Sequence, residues 1–241
     1  MKILNTTKLI AQNSMFKLWQ WRNTGSSFKD YFANLVKHDL ARGRKHPSLG
    51  RVEWEGRFPQ FQARLGIRPD EVCVDYGCGT LRMGMHVIQF VNRGCYWGLD
   101  IDPDLLDQGR RLIGPQLELK APVLRVISPA TVREAASAKP ALLFSLRVLI
   151  HVHPDELDEY IANILTIIGK QGRGVITGKW SPQKAFLFAR QSWAHSFESL
   201  NHIVGANNGQ IRVLAEKDWP FNKIGKLARA GALEIRGRHE A

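Results

Sequence analysis

The apolar positions change rhythm along the chain. In residues 27–41, SFKDYFANLVKHDLA, the residues Phe28, Phe32, Leu35, Val36 and Leu40 recur near helical spacing with Lys29, Lys37 and Asp39 between them, which predicts an amphipathic helix. The run ARGRKHPSLGR breaks this pattern with Gly43, Pro47 and Gly50, and a second helix is expected over about 54–65. From residue 72 short apolar runs alternate with helical stretches. Strands are predicted at 72–76, 96–100, 123–127, 141–145 and 174–177, with helices at 81–91, 103–112 and 154–168 and a short polar one after the third strand. Strands separated by helices of this length imply right-handed crossovers. The expected fold is therefore α/β: a Rossmann-like, doubly wound, mostly parallel sheet flanked by helices, with a helical N-terminal extension. Past residue 180 the rhythm weakens. Residues 183–200 read as helix, GQIRVLAE as strand or loop, DWPFNKIGKLARAG as a helix with a glycine stop, and ALEIRGRHE as a last strand. Two units are expected, a basic helical extension or lid over 1–65 and a ligand-binding domain over 66–241.

The 241 residues suffice for one such domain, and 44% hydrophobic with 23% charged residues excludes a disordered or fibrous chain. No run approaches the roughly 18 apolar residues of a membrane span. The longest candidate, LLFSLRVLIHV, holds Arg147 and His151, and the start MKILNTTKLIAQNS is too short in its apolar part for a secretion signal, so a cytoplasmic location is expected. Three cysteines, Cys73, Cys78 and Cys95, show no CxxC spacing and no histidine cluster. They are expected to be reduced, and no metal is expected. Cys78 reads as a small residue in a tight turn, with a nucleophile as the alternative.

The net charge is +12, and residues 1–51 hold ten Lys or Arg against two Asp, so eight of the twelve surplus charges sit in the first fifth. Such an arm would be drawn to nucleic acid, an anionic membrane surface or a phosphorylated substrate. Trp19, Trp21 and Trp54 lie close to these charges and read either as parts of a lid or as core residues.

The stretch VDYGCGTLRMG, residues 74–84, carries the chemistry. A dinucleotide site wants G-x-G-x-x-G, whereas Gly77 and Gly79 are followed by Arg82 at the third place. Asp75 stands two residues before the first glycine. Its carboxylate would repel a pyrophosphate at close range, while a cationic cofactor reverses the sign. S-adenosylmethionine carries a sulfonium and an ammonium and has no phosphate. Asp100 in YWGLDID, twenty-three residues after Gly77, returns beside the first turn where a carboxylate can accept from both hydroxyls of a ribose.

In these residues the chain resembles the class I, Rossmann-like S-adenosylmethionine-dependent methyltransferases. The likeness runs through VDYGCGTLR, GLDID, VLIHVHPDEL and IIGKQGRGVITG and covers about residues 66–178. It implies methyl transfer, with Asp75, Gly77, Cys78 and Gly79 around the methionine part and Asp100 with Ile101 at the ribose. Many members have an acid after the third strand that meets the adenine; VISPATV offers only Ser128 and backbone groups there. Leu81 stands where a third glycine is common and is expected to crowd the cofactor. Arg82 either binds the cofactor carboxylate or caps a neighbouring carbonyl.

Methyl transfer needs alignment and, at most, one base. His151 in LIHVHPDELDEY is the catalytic candidate, with His153 two positions on; the alternative is that His151 caps or packs at the helix start before Pro154, Asp155 and Glu156. Arg147, and Lys179 with Trp180, stand at expected strand ends where they could hold an anionic substrate. The expected function is methyl transfer to an oxygen or nitrogen of a small-molecule acceptor, anionic or sugar- or lipid-linked. An RNA methyltransferase using the basic arm is the rival; SLRV stands where a base-nitrogen methyltransferase carries N/D-P-P-Y/F. A cofactor-binding, non-catalytic protein using SMFKLWQWR at a membrane surface is the other.

Overall fold

A computed structural model describes residues 17–19, 22, 27–42, 56–182, 184–189, 192–220, 222–225 and 227–238. The basic run 43–51 and the tryptophans Trp21 and Trp54 lie outside the described residues. Among the described residues, α1 (Phe28–Ala41) and α2 (Phe58–Leu65) precede the sheet. Then come β1 (Cys73–Tyr76), α3 (Gly84–Phe90), β2 (Tyr96–Asp100), α4 (Pro103–Ile113), α5 (Gln116–Lys120), β3 (Val123–Val126), α6 (Pro129–Ser137) and β4 (Leu142–Ser145). Two 3-10 turns, Leu149–His151 and Pro154–Glu156, lead into α7 (Leu157–Ile168) and β5 (Arg173–Ser181). The chain closes with β6 (Phe186–Ala189), β7 (Ser192–Ser196), α8 (Phe197–Ala206), β8 (Gly209–Val213), β9 (Lys223–Ile224) and β10 (Arg229–Gly237).

The main sheet has the order β3-β2-β1-β4-β5-β10-β8, with β1 to β5 parallel and β10 antiparallel to both of its neighbours. Every residue of β1, β2 and β4 is buried, which is why these strands are apolar apart from Asp75, Asp100 and Ser145 near their carboxyl ends: helices cover both faces. Alternation along the strands sends side chains into two separate cores. Val74, Leu99, Leu143 and Ile176 join α6, α7 and α8 on one face; Cys73, Tyr96, Phe144 and Val175 join α2, α3 and α4 on the other. In α7, Leu157, Ile161, Ile164, Leu165 and Ile168 form the buried stripe. Each fully buried aliphatic side chain of this kind contributes about 1.5–3 kcal/mol.

Helix starts follow the capping chemistry. The Asp102 carboxylate accepts from the Asp104 amide at the head of α4, Ser128 and Thr131 form a capping box at α6, and Ser196 caps α8. At α1, Ser27 and Asp30 bond reciprocally, and Glu156 from the distant 3-10 turn accepts from the amides of Phe28 at 2.5 Å and Lys29 at 3.3 Å. The helix expected over 27–41 is thus present, and Phe28 and Tyr31 pack with Trp19, Phe32 and Leu35 as a small core of their own. Helix α2, although N-terminal to the expected boundary at residue 65, buries Phe61 and Leu65 in the same cluster as β1 and β4.

Four expectations need correction. The helix expected over 81–91 begins only at Gly84, because Leu81 takes the left-handed region at φ 60 and residues 80–83 turn. The stretch 183–200 is the β6–β7 hairpin followed by α8: β7 pairs with the end of β5 and buries all five of its residues, so burial overrides the helical spacing. Among the described residues of DWPFNKIGKLARAG there is no helix: Lys223–Ile224 form β9 and Arg229 begins β10. Asn222 donates to the Leu214 carbonyl and accepts from the Ala232 amide, and Trp219 packs edge-on against Phe61 at 5.5 Å. Strand β5 runs on to Ser181, so Lys179 and Trp180 lie within it and Trp180 is core. Among the described residues no helix is long and apolar enough to cross a membrane.

Candidate functional site

A cavity lies at the carboxyl ends of β1, β2, β3 and β4, roofed by α1. Asp75, Gly77, Cys78, Gly79, Arg82, Asp100, Ile101, Arg147 and His151 all line it, so one cavity gathers sequence-predicted residues from positions 75 to 151. Ser128 does not line it; its side chain serves the capping box of α6, and Ile127 faces the cavity instead.

The first end of the cavity is built from the glycine turn. Gly77 sits at φ 82, and a Cβ there would come within 2.3 Å of Val148 Cγ2, so the turn and the segment after β4 touch through the missing side chain. Gly79, at φ 55, has nothing within 4 Å of an added Cβ. Its amide donates to Asp100 Oδ2 at 2.7 Å, and Asp100 Oδ1 accepts from the Asp102 amide at 3.0 Å. Asp100 therefore shapes the turn, and since a carboxylate has about four acceptor positions it retains capacity for a ligand hydroxyl. Asp75 Oδ2 accepts from the Tyr96 hydroxyl at 2.9 Å.

Both carboxylates are buried, Asp75 at 4% and Asp100 at 6% exposure, and among the described residues neither forms an ion pair with a basic side chain. Burial raises the Asp75 pKa from 3.8 to about 7, offset by the Tyr96 hydroxyl and reinforced by the charge of Asp100. Burial likewise raises Asp100 to about 6 against the amides that bond it. Two buried acids side by side with no basic partner make a seat that favours a cationic or hydroxyl-bearing ligand. Burial also pushes the Cys78 thiol well above its ordinary value, which suits the tight-turn reading and not the nucleophile. Leu81 is fully buried and packs over Gly109 rather than into the cavity, so it does not crowd a ligand.

The second end is built from two helices. On α1, Lys29, Phe32, Ala33 and Val36 face the cavity; at the same spacing on and just before α7, so do Glu156, Glu159, Tyr160 and Asn163. Lys29 Nζ meets Glu159 Oε1 at 2.6 Å, and the Tyr160 hydroxyl donates to Ser145 Oγ at 2.8 Å, which donates in turn to the Tyr76 carbonyl at 2.7 Å. His151 ends a 3-10 turn with its ring against Phe32, centroids 5.0 Å apart. His153 has the capping role instead: its Nδ1 accepts from the Asp155 amide, and its ring packs between Phe28 and Trp193. Beneath the turn, buried His195 of β7 meets the Leu149 carbonyl through Nε2 at 2.9 Å. Burial lowers the His195 pKa to about 4, so the ring is neutral and Nε2 carries the donated proton.

Sequence reasoning missed the α7 stripe and His195. The stripe had a signal, since residues 156, 159, 160 and 163 repeat at helical spacing just after His151. His195 had none, because a single histidine in SWAHS says nothing of the carbonyl it supports.

No protein-family model matches the chain, and no curated protein matches its sequence. Solved structures do. An S-adenosylmethionine-dependent methyltransferase from Anabaena variabilis ATCC 29413 is similar with a TM-score of 0.62 at 14% identity, over 88% of this chain and 96% of that one. Magnesium protoporphyrin IX methyltransferase from Synechocystis PCC 6803, with S-adenosylmethionine bound, gives 0.56 at 17% identity over 89% and 99%. A Burkholderia thailandensis 1,6-didemethyltoxoflavin-N1-methyltransferase, holding its substrate and S-adenosylhomocysteine, gives 0.55 at 16% over 88% and 92%. With its parallel strands, reversed β10 and glycine turn over the first crossover, the chain has the Rossmann-like fold of the class I S-adenosylmethionine-dependent methyltransferases.

Proposed function

We propose that this protein is an S-adenosylmethionine-dependent methyltransferase that methylates an oxygen or nitrogen atom of a small-molecule acceptor. The observation that carries the reading is the pair Asp75 and Asp100: buried, beside Gly77 and Gly79, and without a basic partner among the described residues. Such a pair repels a pyrophosphate and attracts a cation. When bound, the cofactor supplies a methyl group on a sulfonium, already activated for in-line displacement.

Asp75 and the amides of the glycine turn hold the methionine part, Asp100 the ribose hydroxyls, and Ile101, Leu105 and Ile127 an apolar slot for the adenine. Arg82 serves the methionine carboxylate. Helix α1 is the lid that excludes water, held down by Glu156 and by the Lys29–Glu159 pair. His151, its ring seated on Phe32, takes the acceptor proton. The small-molecule acceptors named for the magnesium protoporphyrin and didemethyltoxoflavin enzymes are in keeping with a roofed cavity of this kind.

Isothermal titration with S-adenosylhomocysteine, and with NADH as control, tests the cofactor assignment. Binding of the first alone is expected; binding of NADH, or of neither, overturns it. Once an acceptor is found, His151→Ala should lower turnover about 10²–10⁴-fold with cofactor affinity unchanged, the scale of a lost general base. Full activity in that variant returns His151 to a packing role.

A further inference from the structure

Four of the cavity's acids have partners within the chain, and the fifth, Asp102, has one at a single oxygen only, where it accepts from the Asp104 amide. Asp75 takes the Tyr96 hydroxyl, Asp100 the Gly79 and Asp102 amides, Glu156 the first amides of α1, and Glu159 the Lys29 ammonium. Basic residues from the glycine turn, the segment after β4 and the β5–β10 part of the sheet gather on the other side. Arg82 and Arg147 line the cavity together. Lys179 of β5 and Lys223 of β9 both stand opposite Ala230 of β10, and residues in register project from the same face of a sheet, so the two lysines flank one methyl side chain. Thr177 shares that face two residues before Lys179, and its hydroxyl accepts the Arg147 backbone N–H at 2.7 Å. Arg147 is thereby tied to the same row.

Arg147 is held at φ 64, in the left-handed region that favours glycine, and among the described residues its guanidinium makes no hydrogen bond or ion pair. The cations act on one another: burial and then Arg147 lower the Arg82 pKa, and burial, Arg147 and Lys223 lower that of Lys179. Arg82 and Arg147 line the cavity, and like charges gathered beside it focus a positive field there.

We propose that Arg147, with Lys179 and Lys223 beside it, binds an anionic group, a carboxylate or a phosphate, on the methyl acceptor. The guanidinium fork suits either group, and the lysines add charge without fixing its geometry. That the anion belongs to an acceptor rests on the methyltransferase reading; the anion site itself does not.

The test titrates pyrophosphate and citrate separately into protein saturated with S-adenosylhomocysteine, read by calorimetry. The key variant is Arg147→Gly, which removes the guanidinium while relieving the backbone at φ 64 and keeping the amide bond to Thr177. Lys179→Gln is the second. Saturable binding to the wild type is expected, weakened at least about tenfold in both variants with S-adenosylhomocysteine affinity within about twofold. Preference for pyrophosphate points to a phosphate-bearing acceptor and preference for citrate to a carboxylate. No saturable binding in the wild type, or equal anion affinity in Arg147→Gly, overturns the proposal. So does a parallel loss of S-adenosylhomocysteine affinity, which would give these cations to the cofactor's own carboxylate. If S-adenosylhomocysteine fails to bind the wild type, the cofactor reading falls, and the same anion titration on the protein alone still decides the anion site.

Discussion

The two ends of the cavity are built in different ways. At the end proposed to hold the cofactor, a short stretch of chain and one returning strand supply nearly everything: residues 75–82 turn over Val148, and Asp100 comes back to bond the Gly79 amide. The groups there are backbone amides and buried carboxylates whose positions follow from the sheet register, Asp75 lying opposite Gly98. At the end proposed for the acceptor, α1, the segment after β4 and the stretch leading into and along α7 each bring several side chains, and only tertiary contacts between them make a surface. Substitutions at the first end should therefore act through geometry that cannot relax, and those at the second through contacts that can re-form.

The largest effect is expected from Gly77→Ala. It combines φ 82 with a Cβ 2.3 Å from Val148, and should cost about 2–4 kcal/mol of stability in denaturant unfolding and abolish S-adenosylhomocysteine binding. Adding Val148→Ala should restore only the steric share. Gly79→Ala, where the added methyl meets nothing within 4 Å, should fold with a loss nearer 1 kcal/mol. Equal losses at the two glycines would break the distinction between a packed and an open side of the turn.

Next come Asp75→Asn and Asp100→Asn, each expected to weaken S-adenosylhomocysteine by about 10–100-fold in calorimetry, the scale of a hydrogen bond to a charged group. Unchanged affinity in both removes the cofactor assignment.

The same acids set a pH dependence. Their pKa values in the folded chain, about 7 for Asp75 and about 6 for Asp100, lie above the ordinary 3.8, so the native state keeps protons that the unfolded chain releases. Their contribution to stability is full below about pH 4 and is lost as pH rises towards 7. Affinity for a cationic ligand moves the other way and should improve between pH 5.5 and 8, by about tenfold for one acid that must ionise. Melting curves and titrations at the two pH values, on wild type and Asp75→Asn, check both signs; a wild type and variant with the same pH profile would remove Asp75 from the account.

At the acceptor end the effects shrink. Glu156→Gln weakens the cap on α1 and should cost about 1 kcal/mol. Lys29→Ala breaks a pair whose side chains are 36% and 55% exposed and should cost at most about 0.5 kcal/mol. Hydrogen exchange of the α1 amides reads both, and protection unchanged in Glu156→Gln would mean that α1 is held by its apolar contacts alone.

The cofactor end was legible because its parts are close in sequence. VDYGCGTLR and GLDID put the glycines and both acids on strand tips, and the parallel pairing of neighbouring strands brings the tips together. Leu81 misled because a buried side chain at a position common for glycine points into the core as readily as towards a ligand. The region past residue 180 misled for a related reason: SWAHS carries no signal that β5 is long enough to pair with it, and Trp193 and His195 are strand residues only because that pairing buries them. The division of labour between the histidines was likewise closed to the sequence. Both stand in LIHVHPDEL, and it took the packing of α1, with Phe32 on one ring and Phe28 on the other, to separate the cavity histidine from the capping one.

The sequence alone determined the order of strands and helices between residues 72 and 177, the two glycines, and the acids that disfavour a phosphate, since each depends on spacing within one turn or one crossover. The tertiary structure decided what surrounds them: which face of α1 and α7 roofs the cavity, that Ser128 caps a helix, and that Arg147 bonds Thr177 on the sheet face that carries Lys179 and Lys223. Those facts depend on contacts between segments up to 130 residues apart, where side-chain identity sets the energy of a contact but only the folded backbone chooses which contact is made.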